Sequence, residues 1–146
     1  MTRRELGENY FKQGYNCAQS VVLAFNDVLG VDKESAVKLI SGFGGGFGRM
    51  REVCGAVSGM VAVVSAVKGY SNPTATTEKT ELYKAVQTLM NEFKNKNGSY
   101  ICAELIGEKK ACSPTPEKRT EEYYKKRPCA LLVGDACEIL ENYLNN

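Results

Sequence analysis

The chain contains no histidine. That absence removes Ser-His-Asp and Cys-His catalysis, histidine-ligated zinc and axial histidine to haem together. There is no Cys-x-x-Cys pair either, so neither a thioredoxin-type dithiol nor a zinc ribbon is supported. Long apolar runs are missing: Met60 to Val67 is the longest and Ser65 interrupts it, far below the length that spans a bilayer. Charge of one sign is missing too. The net charge is +2, which gives no footprint for nucleic acid or a membrane surface. Lys125, Lys126 and Arg127 form the densest basic run and read as a solvated face. No Gly-Lys follows the glycine cluster described below, so no nucleotide loop is expected. Met1 to Tyr10 is polar and charged, unlike a signal peptide, and the expected location is cytoplasmic.

What is present is a globular composition, 43% hydrophobic and 25% charged over 146 residues, enough for one domain with its own core. Apolar periodicity is helical throughout. A first helix spans about Arg3 to Lys12, with Leu6, Tyr10 and Phe11 on its apolar face. Asn16 caps a second that runs to Val28 or Leu29 and closes at Gly30. Asp32 caps a third. Gly42 to Gly48 holds five glycines in seven residues; it is a loop or a tight passage of backbone, because helix would cost too much entropy. Cys54 to Val67 is a buried central helix, with Gly55 and Gly59 four apart for close approach. Thr77 to Asn95 is amphipathic, with Leu82, Val86, Leu89, Met90 and Phe93 on one face. A short helix follows around Cys102 to Ile106, then a turn-rich loop from Ala111 to Pro116. Thr115 and Pro116 open a further helical segment, and Cys129 to Tyr143 forms the last helix. The expected fold is all-α: one domain over residues 1–146, a bundle of about five to seven helices with a glycine-rich loop before the central one.

Six cysteines are on this map. Cys17, Cys54, Cys102 and Cys129 each fall at a helix start, and each precedes a small residue: Ala18, Gly55, Ala103 and Ala130. Unpaired first-turn amides and the helix dipole favour negative charge there by roughly 0.3–1 kcal/mol. A thiolate is stabilised by that field, and the same amides can donate to cluster sulfurs. Cys137 reads as a small core residue, as does Cys112. In a reducing compartment structural disulfides are not expected.

The ordered set Cys17, then Cys54-Gly55-Ala56-Val57-Ser58-Gly59, then Cys102 and Cys129 closely resembles the C-GCAxxG-C-C family of redox-active proteins. Gly14-Tyr15-Asn16-Cys17-Ala18, the glycine loop and Cys102-Ala103-Glu104-Leu105-Ile106-Gly107 extend the resemblance over nearly the whole chain. Its four shared cysteines map onto Cys17, Cys54, Cys102 and Cys129, with Cys112 and Cys137 as additions. Members resemble the non-haem part of split-Soret cytochromes, which implies an iron–sulfur centre; no Cys-x-x-Cys-His is present, so no covalent haem is implied.

Three readings stay open at this point. In the first, the four cysteines ligate an iron–sulfur cluster for electron transfer, with Gly44, Gly45, Gly46, Gly55 and Gly59 giving the cofactor close backbone. In the second, they are redox thiols of a metal-free oxidoreductase. In the third, they hold a structural zinc. Expected partners are a redox partner protein and, for assembly, a homodimer as an option.

Overall fold

A computed structural model describes residues 1–108 and 113–146; Lys109 to Cys112, and with them the start of the expected turn-rich loop and the sixth cysteine, lie outside the described residues. The order is α1 (Arg3–Lys12), α2 (Cys17–Ala24), α3 (Lys33–Leu39), α4 (Gly55–Lys68), α5 (Thr76–Asn97), α6 (Cys102–Ile106), α7 (Glu121–Lys126) and α8 (Cys129–Leu144). The described residues form no strand, only an isolated antiparallel bridge between Val53 and Ile101. The all-α expectation holds.

Capping sets the early boundaries. Thr2 and Glu5 close a capping box on α1, and Asn16 and Gln19 another on α2, satisfying first-turn amides reciprocally. The Asp32 side chain accepts from the Ser35 amide to start α3. The second helix is shorter than its periodicity suggests: it stops at Ala24, and Asn26–Val28 form a single 3₁₀ turn.

Helix α4 is the centre, packed on α2, α5 and α8. Its valines would favour a strand by local preference, but only by a few tenths of a kcal/mol each. Burying Met60, Val63 and Val64 completely is worth roughly 1.5–3 kcal/mol per side chain, so tertiary burial decides. Gly59 is the point of closest approach to α2. A Cβ there would stand 2.7 Å from the Cβ of Val21 and 3.0 Å from the Ala18 carbonyl oxygen. The amphipathic helix α5 buries Leu82, Ala85, Leu89 and Phe93, and α8 closes the core with Val133, Ala136 and Leu140.

The expected helix from Thr115 and Pro116 does not form. Residues 113–120 run without regular structure until Thr120 caps α7. The reason is what the segment must reach. Arg119 donates to the carbonyl oxygens of Phe11 and Tyr15, while Glu117 pairs with Arg127 and Arg49.

Candidate functional site

Four local devices bring the cysteines together. Cys17 is the first residue of α2, whose cap residue Asn16 also donates its side-chain amide to the Ser41 carbonyl at 2.9 Å. That bond ties the helix start to the glycine segment. Gly55 then packs against Cys17, 3.1 Å separating its would-be Cβ from that of Cys17. Cys54, the cap residue of α4, donates its amide to Tyr100 O at 2.8 Å, and Cys102 donates to Glu52 O at 2.6 Å. This short antiparallel pairing sets Cys54 beside Cys102. Cys129 begins α8 and meets Cys17. All four line one cavity of about 260 Å³. All are free thiols and none is in a disulfide.

The glycine segment is the most unusual backbone in the molecule. Gly45, Gly46, Phe47, Gly48 and Arg49 all have φ between 59° and 69°, and Arg51 has φ 62°. The chain makes a left-handed turn, closed by Gly48 N to Gly44 O at 3.0 Å and Glu52 N to Gly46 O at 2.9 Å. Each non-glycine residue held this way costs roughly 1–2 kcal/mol. Such strain persists only where the surroundings over-determine it, and it gathers at functional sites. Here the turn carries Arg49 and Arg51 to the cavity wall.

Arginine is the feature that sequence reading missed. Arg49, Arg51, Arg119 and Arg127 all line the cavity. Arg127 was expected in a solvated basic face. Instead its side chain is 8% exposed and pairs with Glu108 and Glu117, while Lys125 and Lys126 are exposed as expected. The reason is position: Arg127 follows the last residue of α7 and lies two residues before Cys129, so its side chain is directed inward with that cysteine. Arg51 donates to the Cys102 sulfur at 3.7 Å.

These contacts divide the thiols. Cys129 is pulled down to about 7, because Cys17 donates to its sulfur and Arg127, Arg119 and Arg51 add positive charge against the penalty of burial. Its neighbour Cys17 is raised well above the ordinary range by that same hydrogen bond and by burial. Burial pushes Cys54 up to about 12. Cys102 rises through burial too, with Arg51 opposing. Of this pair, Cys129 is therefore the more readily ionised and Cys17 the less.

Of the glycines expected beside a cofactor, Gly44, Gly45, Gly46 and Gly55 line the cavity. Gly59 does not: it sits at the α2–α4 crossing, where its missing side chain serves helix packing. Cys137 is buried against Gly7, away from the cavity lining, and burial pushes it up to about 12.

A family model matches residues 15–143, described as "Putative redox-active protein (C_GCAxxG_C_C)". The chain belongs to the C_GCAxxG_C_C family. The match runs from before Cys17 to beyond Cys129 and so takes in all four cysteines of the cavity. No curated protein and no solved structure matches this chain. Among the described residues no helix is long and apolar enough to cross a membrane.

The donor set suits one kind of inorganic centre better than another. Among the described residues, no three His, Cys, Asp or Glu side chains gather closely enough to hold a single metal ion. The four cysteines instead line a cavity of about 260 Å³, much larger than one ion. A polynuclear core brings bridging atoms of its own and reaches separated ligands. The all-sulfur donors and bare glycine walls suit such a core better than a lone zinc.

Proposed function

We propose that this C_GCAxxG_C_C protein is an electron-transfer protein that binds an iron–sulfur cluster through Cys17, Cys54, Cys102 and Cys129. The observation that carries the reading is the convergence of four thiols, from four separate helix starts, on one cavity with four arginines. When bound, the cluster supplies one-electron chemistry. The chain's own residues do the rest. Arg51 donates to the Cys102 sulfur, and hydrogen bonds of this kind tune potential. The guanidinium charge offsets thiolate charge that burial would otherwise penalise. Gly46 and Gly55 leave the walls without side chains, and Leu105, Ile106 and Leu132 limit water. The reading places the protein in a reducing cytoplasm, working with a redox partner protein. The test is iron and acid-labile sulfide content after anaerobic purification, in the wild type and in single Cys→Ala variants. Loss of both on substitution of any of the four, but not of Cys137, is expected. Wild-type protein without iron and sulfide overturns the reading.

A second reading has its own observation, the Cys17–Cys129 contact with its lowered Cys129. The Cys129 thiolate would attack a substrate disulfide and release one thiolate, forming a mixed disulfide. Cys17 would then lose its proton, attack the Cys129 sulfur and release the second thiolate. Two electrons pass to the substrate, leaving a Cys17–Cys129 disulfide. Mass spectrometry of metal-free protein treated with a small disulfide decides it. A Cys17→Ala variant should stall as the mixed disulfide at Cys129. Modification spread over all cysteines would exclude the mechanism.

A further inference from the structure

The outer face of the left-handed turn is apolar and open to solvent. Ten large hydrophobic side chains are exposed among the described residues, and four of them, Leu39, Phe43, Phe47 and Met50, fall within one short stretch. Phe43 and Phe47 meet edge to face, their ring centroids 5.3 Å apart, and the Met50 amide donates to the Phe47 carbonyl at 3.0 Å. Phe43 and Phe47 are 38% and 40% exposed, whereas Phe11, Phe25 and Phe93 are fully buried. Phe47 is also held at φ 66°, a conformation that bulky side chains rarely adopt. Strain that holds an aromatic ring in water points to function rather than to packing.

The inner face of the same turn is cavity wall. Gly44, Gly45, Gly46 and Gly48 line the cavity, whereas Phe43 and Phe47 do not. The cysteines lie directly behind this backbone. A Cβ on Gly46, the neighbour of Phe47, would stand 2.7 Å from that of Cys102. A Cβ on Gly55 would stand 3.1 Å from that of Cys17 and 3.2 Å from the Phe43 carbonyl oxygen. The wall between the exposed rings and these cysteines is therefore a single layer of backbone. Electron transfer weakens steeply with distance, so a carrier seated on the rings comes close to the cysteines without entering the cavity.

The size of the face selects its occupant. A phenylalanine left two-fifths exposed offers on the order of 80 Å², so the four side chains together offer on the order of a few hundred Å². A stable dimer needs roughly 800 Å² from each partner, whereas transient electron-transfer encounters bury less. Resting on the electron-transfer reading above, we infer that Phe43, Phe47 and Met50, with Leu39 at the adjoining end of α3, form the docking face for a small one-electron carrier protein. These side chains carry no charge, so the carrier they fit holds its own redox group at an apolar edge. In the complex one electron passes between the carrier and the centre behind the turn; one is oxidised, the other reduced, and no bond is made or broken.

Fluorine NMR of the full chain grown with fluorophenylalanine tests it, because the five phenylalanines divide into two on the face and three in the core. The probes are a flavodoxin and a plant-type ferredoxin, each added to anaerobically purified protein. At least one should shift or broaden the Phe43 and Phe47 resonances while those of Phe11, Phe25 and Phe93 stay in place. Phe47→Asn should weaken that complex roughly tenfold or more, as loss of a central aromatic contact does. Its melting temperature should not fall, since asparagine adopts the left-handed conformation more readily. Three results overturn the inference. Neither probe moves the two resonances; or the melting temperature of Phe47→Asn falls, which gives the ring to the fold; or the two resonances move on raising the protein's own concentration alone, which gives the face to a second copy. Iron and sulfide are measured on the same samples. Their absence overturns the electron-transfer reading itself, whereas their presence with unmoved resonances removes only the docking face.

Discussion

Replacing Gly46 with alanine should be one of the most damaging single-methyl changes in this protein. Two costs combine. Gly46 has φ 68° and ψ 56°, where an L side chain pays roughly 1–2 kcal/mol. The added Cβ would also stand 2.7 Å from the Cys102 Cβ, 2.7 Å from the Glu52 nitrogen and 2.9 Å from the Arg51 carbonyl carbon. Two of those atoms are backbone, fixed by the pairing that holds Cys102, so relief requires moving the cysteine. Overpacking of this kind costs about 1–3 kcal/mol, for a total of about 2–5 kcal/mol. Gly48→Ala is the matched control. Its φ is 59°, but nothing lies within 4 Å of its Cβ position, so it should lose only the conformational part. At about 2–4 °C per kcal/mol for a chain near this size, thermal unfolding should separate the two melting temperatures by several degrees. Cofactor content or Cys102 reactivity should change in Gly46→Ala alone. Equal destabilisation of the two variants, or an unchanged Gly46→Ala, would refute the claim that this turn is packed against the cysteine.

Gly59→Val should cost more than roughly 2 kcal/mol by overpacking the α2–α4 crossing, since its Cβ alone would meet Val21 at 2.7 Å; an unchanged urea midpoint would argue against that crossing. In metal-free protein, Cys129 should be half-ionised near pH 7, where the Cys17 thiol and the arginines hold it. Iodoacetamide labelling against pH should therefore show a midpoint near 7 at Cys129 and much higher midpoints at Cys17, Cys54 and Cys137. Cys54 and Cys137 stay protonated in the fold up to about 12, above the ordinary thiol value near 8.5. Their stabilisation is thus intact below about pH 8.5 and is lost as pH rises towards 12; urea midpoints that stay level between pH 8.5 and 11 would contradict it. Cys137→Ala should keep iron content and thiol chemistry, because Cys137 packs against Gly7 outside the cavity.

Much of the scaffold was legible because helices announce themselves locally. Asn16 and Asp32 are caps by residue type, and the spacing of Leu82, Leu89 and Phe93 gives the buried face of α5 directly. The same logic placed Cys17, Cys54, Cys102 and Cys129 at helix starts, where the structure puts them. Thr115 and Pro116 also carry a helix-start signal, but Glu117 and Arg119 must reach partners distant in sequence, and those bonds override the local preference. The pairing of Glu52 and Cys54 with Tyr100 and Cys102 is too short to leave an alternating pattern. The sequence marks Gly59 for close approach by either a neighbouring helix or a cofactor, because a bare backbone suits both; the position of Val21 decides for the helix.

The arginines were harder to read for a physical reason. A cysteine at a helix start is placed by the helix, but Arg49, Arg51, Arg119 and Arg127 all stand on irregular backbone, where no periodicity fixes direction. Two of them hold left-handed φ values that their side chains resist. Local preference and global fold disagree most at this wall, which is where functional demands are expected to override folding rules. The division of labour follows. Rigid helix starts hold the sulfurs, whose spacing must be kept, and the turn and the segment around Glu117 carry the charge. Cys129 and Arg127 are two residues apart, at the junction between these kinds of structure. A change at Arg127 should therefore alter the electrostatics of the sulfurs while the helices that position them stay in place.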